Sequence, residues 1–289
     1  MKRRVLLFSI LAFALSLWSV YAFAQTQGSA LASSAPLETT EELVYEGKLT
    51  RLLLRNVSIA EIRFTAQRTP QTALVKSSDN ENATMPLLVF RGEAQSKGLL
   101  TKLFKLNFHQ KIESTVEPGS FTVLQTNKVD DQNNRHRVSE TVFDKTTGKL
   151  TWTEREPGND TRPPRIVTAD FNAPVQDIAS IFYYIRTQPL EVGRSFEISV
   201  TDSGHVYRLP VKVVEKTQMK TVLGKVQVVR VDPEIFGEGR LIESKGSMSI
   251  WFTDDARHIP VRARVGTEMG TLEVKLKSFS NHAPAQAAR

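Results

Sequence analysis

Short stretches in which apolar and polar residues alternate recur along most of the chain. Residues 211–213 (Val-Lys-Val) and 226–228 (Val-Gln-Val) alternate, and residues 248–252 repeat the pattern with Met, Ile and Phe. A period of two places the apolar side chains on one face of a strand, so these stretches predict strands with one buried face. Gly224 and the Asp pair at 254–255 interrupt them with residues that favour tight turns. The pattern is typical of an antiparallel sheet.

Residue patterns also predict strands, a loop and a short helical segment in the N-terminal half of the chain. Strands are predicted over 43–49, 57–66 and 86–94, and a hairpin is predicted over 137–154, with its turn closed by Gly148. A polar loop is predicted from Thr69 to Thr84. One or two helical turns are predicted between Leu99 and Leu106, where leucines recur at short intervals.

One segment has a clear helical period. Over residues 174–187 the apolar positions recur at i, i+3, i+4 and i+7, which forms a single apolar stripe; the stripe consists of Ile178, Ile181, Phe182 and Ile185. Pro174 fits the first turn, and Asn172 is a candidate N-cap. Pro189 is expected to end the helix.

No composition shift divides residues 43–280, so they are predicted to form a single β-rich domain. The expected fold is mainly β: one curved antiparallel sheet, a sandwich or an incomplete barrel, with one α-helix at about 174–187. Residues 25–42 are rich in Ser, Thr, Ala and Gln and are predicted to be a flexible linker. Residues 281–289 are predicted to be a disordered tail.

The first 24 residues have the three-part pattern of a secretory signal peptide. A basic start is followed by an apolar stretch and by Ala22-Phe23-Ala24, a small-x-small cleavage site. We expect cleavage after Ala24 and export, most simply to a bacterial periplasm. An uncleaved membrane anchor is the alternative, because the apolar stretch is about long enough to span a bilayer. The chain has no Cys, so no lipobox cysteine can carry a lipid.

Charge and motifs exclude several classes of function. The net charge of +7 is scattered along the chain, and three of the positive charges lie in the leader, so no nucleic-acid partner is predicted. The five His residues are not at metal-ligand spacing, and no P-loop, dinucleotide-binding fingerprint or G-x-S-x-G elbow occurs. We therefore predict no metal, no cofactor, no catalytic residue and no enzymatic activity.

Asp254 and Asp255 form the most conspicuous carboxylate pair. Adjacent carboxylates could bind a divalent cation or share a proton. They also lie where a hairpin turn is expected, and Asp favours turns because its side chain accepts bonds from nearby backbone amides. We prefer the interpretation that the Asp pair forms the hairpin turn.

The predicted helix contributes the other candidate ligand-binding residues. Tyr183, Tyr184 and Arg186 could line a groove on the sheet and hold an anionic lipid or a glycan. In the alternative reading, Asp177 in the first turn and Arg186 in the last turn only complement the helix dipole. Trp251, which precedes the Asp pair, completes the candidate set.

Several segments together resemble a known family. They are Asp177-Ile-Ala-Ser-Ile-Phe-Tyr-Tyr-Ile-Arg186, the turn at 221–225, Trp251-Phe-Thr-Asp-Asp-Ala-Arg-His-Ile-Pro260 and residues 269–276. They resemble domain-of-unknown-function family 3108, a set of exported bacterial β proteins. The resemblance implies export, a mainly β fold and no catalytic machinery, and it brings no established activity.

These observations lead to three hypotheses. The first is a periplasmic binding or carrier module for a lipid-like or glycan ligand of the cell envelope, with the helix as a lid or plug over a concave sheet. The second is an envelope assembly factor that acts through an exposed sheet edge or apolar patch. The third, with the weakest support, is a hydrolase that uses Asp254 or Asp255.

Overall fold

The computed structural model of the chain describes residues 40–52, 54–77, 80–98, 107–159, 161–172, 174–268 and 270–282, with side chains omitted for 70–85. The predicted signal peptide, the linker up to residue 39, the helical turns at 99–106 and the last seven residues of the predicted tail lie outside these ranges.

The described residues form fifteen strands and one helix. The first eight strands are β1 (Thr40–Arg51), β2 (Leu54–Ser77), β3 (Asn80–Ser96), β4 (Phe108–Glu117), β5 (Thr122–Gln132), β6 (Arg135–Asp144), β7 (Lys149–Arg155) and β8 (Arg165–Asp170). They are followed by β9 (Val175–Gln176), the helix α1 (Ser180–Arg186), β10 (Ser195–Asp202), β11 (His205–Thr221), β12 (Gly224–Pro233), β13 (Gly246–Thr253), β14 (Pro260–Thr267) and β15 (Gly270–His282).

All fifteen strands belong to one sheet, with β8 and β9 at its edges. Neighbouring strands are consecutive in the chain except at the centre, where β1 pairs antiparallel with β15. The short β9 pairs parallel with β10, and the other pairs are antiparallel. The mainly β fold with one helix is confirmed, as a curved open sheet that does not close into a barrel.

The sheet curls until its two outer parts touch. The turn between β10 and β11 packs against β7 and β8, where a Cβ on Gly204 would lie 2.7 Å from the Cβ of Val167 and 3.0 Å from that of Trp152. Gly204 also has φ +81°, which favours glycine. The close approach therefore depends on the absence of a side chain at this turn.

The curled sheet surrounds the helix, and the core lies between them. In the first half of the sheet, Phe90 is fully buried and stacks on Tyr183 of α1 with ring centroids 4.2 Å apart. Phe121 also stacks on Phe90, with ring centroids 5.5 Å apart. In the second half, Ile185 packs among the apolar residues of β10 to β13, such as Val211 and Phe252. The helix thus packs against both halves of the sheet.

Three predicted boundaries differ from the structure. The predicted loop at 69–84 is a continuation of the β2–β3 hairpin, which pairs down to Ser77 and Asn80. Residues 40–42 of the predicted linker begin β1, and residues 281 and 282 of the predicted tail end β15. These last two differences have one cause: Thr40 pairs with His282 and Glu41 with Asn281, so the two segments extend their strands together. Backbone hydrogen bonds do not depend on apolar side chains. These polar segments lack the alternation of apolar residues, so their periodicity does not predict strands.

The helix is shorter than predicted. It begins at Ser180 rather than near Pro174, because Val175 and Gln176 pair with β10 instead. Asn172 is therefore not its cap. The backbone N–H groups of Ala179 and Ser180 are bound by the Asp177 carboxylate, and the Ser180 hydroxyl accepts a bond from the Asp177 N–H at 2.9 Å. This reciprocal pair closes the turn that leads into the helix.

Replacing Phe90 with Ala should lower the free energy of unfolding by about 3–5 kcal/mol, since the ring is fully buried between two others. Chemical denaturation measures the change. Leu52→Ala is the control: Leu52 is 89% exposed, and its loss should cost less than about 0.5 kcal/mol. Equal effects of the two variants would contradict the assigned core.

Candidate ligand cavities beside the helix

The segment that leads into α1 is fixed to the first half of the sheet by one buried carboxylate. Asp177 is 3% exposed and accepts hydrogen bonds at one oxygen from the N–H groups of Ala179, at 3.0 Å, and Ser180, at 2.8 Å. Its other oxygen accepts bonds from the hydroxyls of Ser114 on β4 and Thr126 on β5. Four donors satisfy a charge that would otherwise be costly to bury.

The other end of α1 is fixed by a buried ion pair. The Arg186 guanidinium donates to both carboxylate oxygens of Glu41 on β1, at 2.5 and 2.8 Å, and both residues are 3% exposed. Its Nε donates to the carbonyl of Arg257 at 3.0 Å. The two-point geometry uses the planar fork of Arg, and together with the Nε bond it engages three of the five N–H donors.

The loop between β13 and β14 contacts the same helix end. His258 Nδ1 lies 2.9 Å from the carbonyl oxygen of Arg186, which it can reach only as a donor. The Tyr45 hydroxyl donates to the carbonyl of Pro260 at 2.7 Å, and burial raises the pKa of this phenol. The C-terminal end of α1 is therefore connected to β1 and to the β13–β14 loop.

Between the two anchors, α1 leaves space on one side. We call the larger space the helix cavity; its volume is about 230 Å³. Its walls come from the helix stripe and from the second half of the sheet, and include Ile178, Ile181, Phe182, Val200, Leu209 and Met248. We call the smaller space the side cavity; its volume is about 120 Å³, and its walls include Leu43, Ile62, Phe64, Phe182, Met248 and Val274.

The two cavities adjoin each other. Phe182, Met248, Ile250 and Val265 contribute to the walls of both. The connection between β12 and β13 covers the helix cavity with Ile235, Leu241 and Ile242, and backbone bonds of 2.9 to 3.0 Å between Ile242, Ile235 and Gly237 hold it in shape. Most of the apolar stripe predicted from the helical period therefore faces empty apolar space.

The structure separates the predicted helix residues. Tyr183 is 1% exposed, and with Arg186 it borders the side cavity. Burial raises the pKa of Tyr183, and its hydroxyl has no hydrogen-bond partner among the described residues. Tyr184 packs against Phe121, with ring centroids 5.7 Å apart, outside both cavities, and burial raises its pKa too.

The residues predicted around the Asp pair lie outside both cavities. Trp251 is 9% exposed and packs under the guanidinium of Arg262, 4.9 Å from the ring centroid. Asp254 forms an ion pair with Lys216 at 2.8 Å. Trp251 and Asp254 thus contact neighbouring side chains and do not line either cavity.

Asp255 organises the turn that follows. It accepts bonds from the Thr253 hydroxyl at 2.7 Å and from the Arg257 backbone and side chain. Burial raises the pKa of the Asp255 carboxyl, but these hydrogen bonds outweigh burial and the pKa is lowered. The turn reading of the Asp pair fits this geometry.

Two residues that matter for the site were not among the candidates. Glu41 was placed in the linker, although its partner Arg186 was a candidate. Asp202 at the end of β10 is the charged residue among the described residues that line the helix cavity, and no sequence motif marks it. A negative charge at the end of an apolar strand is the signal that could have identified it.

The fold resembles that of a solved protein structure. A β-barrel-like protein of domain-of-unknown-function family DUF1849 from Brucella abortus aligns with a TM-score of 0.52 and 9% identity over 85% of this chain and 99% of that one. A protein from Parabacteroides distasonis ATCC 8503, described as a "putative lipoprotein", aligns over 87% of this chain and 100% of that one with 10% identity and a TM-score of only 0.30.

No curated protein matches the chain. Among the described residues, no helix is long and apolar enough to cross a membrane. The model of the family DUF3108, proteins of unknown function, matches residues 63–277, which is most of the chain, so the chain belongs to this family.

The Glu41–Arg186 pair should be essential to stability. Glu41→Gln leaves a buried guanidinium without its counter-charge and should lower the free energy of unfolding by about 3 kcal/mol or more, measured by chemical denaturation.

Two controls test whether the unpaired guanidinium causes the loss of stability in Glu41→Gln. Glu234→Gln removes the exposed partner of Lys212 and should cost at most about 1 kcal/mol. The double variant Glu41→Leu, Arg186→Met removes both charges and should recover much of the loss. A cost for Glu41→Gln no greater than that of Glu234→Gln would refute the buried anchor.

Proposed function

We propose that this member of the DUF3108 family is an exported, non-catalytic binding or carrier module for a lipid-like molecule of the cell envelope. The observation that carries the proposal is the pair of adjoining apolar cavities beside a helix anchored at both ends. The envelope location rests on the signal-peptide pattern of the first 24 residues.

The cavities are too large to be ordinary packing defects. Protein cores are close-packed, and voids larger than a water molecule are few. The helix cavity measures about 230 Å³, and apolar voids of about 150 Å³ stay dry and take up apolar guests. Together the two cavities reach the lower end of the about 300–1,000 Å³ range of small-molecule sites.

The anchors explain why the helix does not move to fill this space. Asp177 is bound to β4 and β5, and Arg186 is bound to β1 and to the β13–β14 loop. Any shift of α1 towards the cavities would break buried charged hydrogen bonds, and their loss costs more free energy than closer apolar packing would return. The space is thus maintained by the structure and available to a ligand.

The chemistry of the walls favours an apolar chain over a glycan. Sugars are recognised through hydrogen bonds, whereas the walls are almost entirely aliphatic and aromatic. Of the polar candidates predicted on the helix, the Arg186 guanidinium is bound to Glu41, Tyr184 lies elsewhere, and Tyr183 offers a single hydroxyl, too few donors to recognise a sugar. We therefore propose an acyl or alkyl chain as the buried part of the ligand.

Assembly through protein contact is the second candidate. Its support is the edge strand β8, which pairs only with β7 among the described strands and carries Ile166, 63% exposed. Such an edge can pair with a strand of another protein. For the hydrolase hypothesis, Asp254 and Asp255 are engaged with Lys216 and Arg257 and lie apart from the cavities, which supports a non-catalytic role.

Titration calorimetry with n-dodecanol, a neutral probe, tests the ligand proposal. We expect binding with a negative heat-capacity change, the mark of apolar burial. Val265 borders both cavities, so Val265→Trp should fill them and weaken binding about tenfold or more, the cost of displacing about two methylene groups.

The matched control is Val222→Trp, the same substitution at a side chain that is 53% exposed in the β11–β12 turn, and it should leave binding unchanged. Met248→Ala enlarges both cavities and should favour n-tetradecanol relative to n-dodecanol, which keeps the test valid if Val265→Trp fails to fold. No binding by the wild type, or equal loss in Val222→Trp and Val265→Trp, would reject the proposal.

A further inference from the structure

One charged group lies in the wall of the helix cavity. Asp202, the last residue of β10, is the charged member among the described residues that line it. Its side chain is 14% exposed. A carboxylate at the border of an apolar space requires a polar partner, because removing an ionised acid from water costs free energy.

The bonds that Asp202 makes within the described part of the chain do not compensate for its burial. The Ser203 hydroxyl donates to Oδ2 at 3.1 Å. Lys128 Nζ on β5 lies 4.0 Å from Oδ1, which is an ion-pair distance but too long for a hydrogen bond. Burial raises the pKa of the Asp202 carboxyl, and the Lys128 charge only partly opposes this.

Comparison with other acids of the same domain makes the difference clear. Asp177 accepts four hydrogen bonds. Asp130, two residues after Lys128, accepts bonds from Gln110 and Arg135, both at 2.8 Å. Those carboxylates have structural partners, whereas Asp202 Oδ1 faces Lys128 across a gap. Among the described residues, Asp202 Oδ1 and the Lys128 ammonium can therefore each form a further short hydrogen bond.

The position of the pair defines the polar end of the site. Thr126, which binds Asp177 before the helix, is two residues from Lys128 on the same strand and faces the same side of the sheet. Lys128 and Asp202 thus lie beyond the start of α1, while the apolar stripe of the helix runs away from them. An amphiphile in the helix cavity would place its headgroup here.

We propose that Asp202 and Lys128 bind a zwitterionic headgroup, with a primary ammonium on Asp202 and a phosphate on Lys128, of an amphiphile whose apolar chain occupies the helix cavity. The inference rests on the proposed function. One long contact would be replaced by two short charge-assisted hydrogen bonds, which gain strength where water is excluded. A quaternary ammonium could not make the first bond, since it has no N–H.

Calorimetry with three lauroyl lysophospholipids below their micellar concentrations tests the headgroup. They are the ethanolamine form with a primary ammonium, the choline form with a quaternary ammonium and the anionic glycerol form. We expect wild-type protein to bind the ethanolamine form about tenfold more tightly than either other lipid, as for one charge-assisted hydrogen bond.

Variants assign the preference to the two residues. Asp202→Asn should reduce binding of the ethanolamine form to that of the choline form, a larger loss than the same variant causes for n-dodecanol. Lys128→Met should weaken binding of both phosphate zwitterions more than binding of n-dodecanol, and it keeps the test available if Asp202→Asn does not fold. Asp170→Asn, at a side chain 85% exposed on β8, is the control and should change nothing.

The outcomes separate this inference from the proposed function. Equal binding of the three lipids by wild-type protein, a preference for the anionic lipid, or an unchanged preference in Asp202→Asn would overturn the headgroup assignment, while n-dodecanol binding would still support the cavity. Failure of all three lipids and of n-dodecanol to bind would reject both.

Discussion

The structure depends on two buried charges that hold a seven-residue helix inside a curled sheet. Asp177 and Arg186 lie at the two ends of this segment, and each binds groups from other strands. Each set of bonds is costly to bury, but far more costly to break, so the helix has one position. The apolar faces then pack around that position rather than determining it.

The topology explains how so short a helix can organise fifteen strands. Ser114 and Thr126 come from the first half of the sheet, Glu41 from the central strand β1, and the Arg257 carbonyl from the loop after β13. The helix thus connects both halves across the concave side. Phe90 and Phe121 fill the space on one side of it, and the two cavities lie on the other side.

Local pattern predicted much of this arrangement, because strands and helices follow from periodicity. The stripe from Ile178 to Ile185 identified the helix, and the alternation at 226–228 and 248–252 identified strands. The anchors could not be predicted in the same way. Asp177 meets Ser114 and Thr126 from distant strands, and Arg186 meets Glu41, 145 residues earlier in the chain. A polar residue at the start of a strand resembles a linker until its partner is known, and Asp202 resembles a turn residue until the cavity beside it is known.

The most direct test of the account is native mass spectrometry of the protein purified without detergent from the envelope of its own host. The account predicts a population with added mass that is released on denaturation as an amphiphile with an acyl or alkyl chain. A fully folded protein that carries no added mass, and that gains none after incubation with an envelope lipid extract, would contradict the claim that the anchored helix maintains a ligand site.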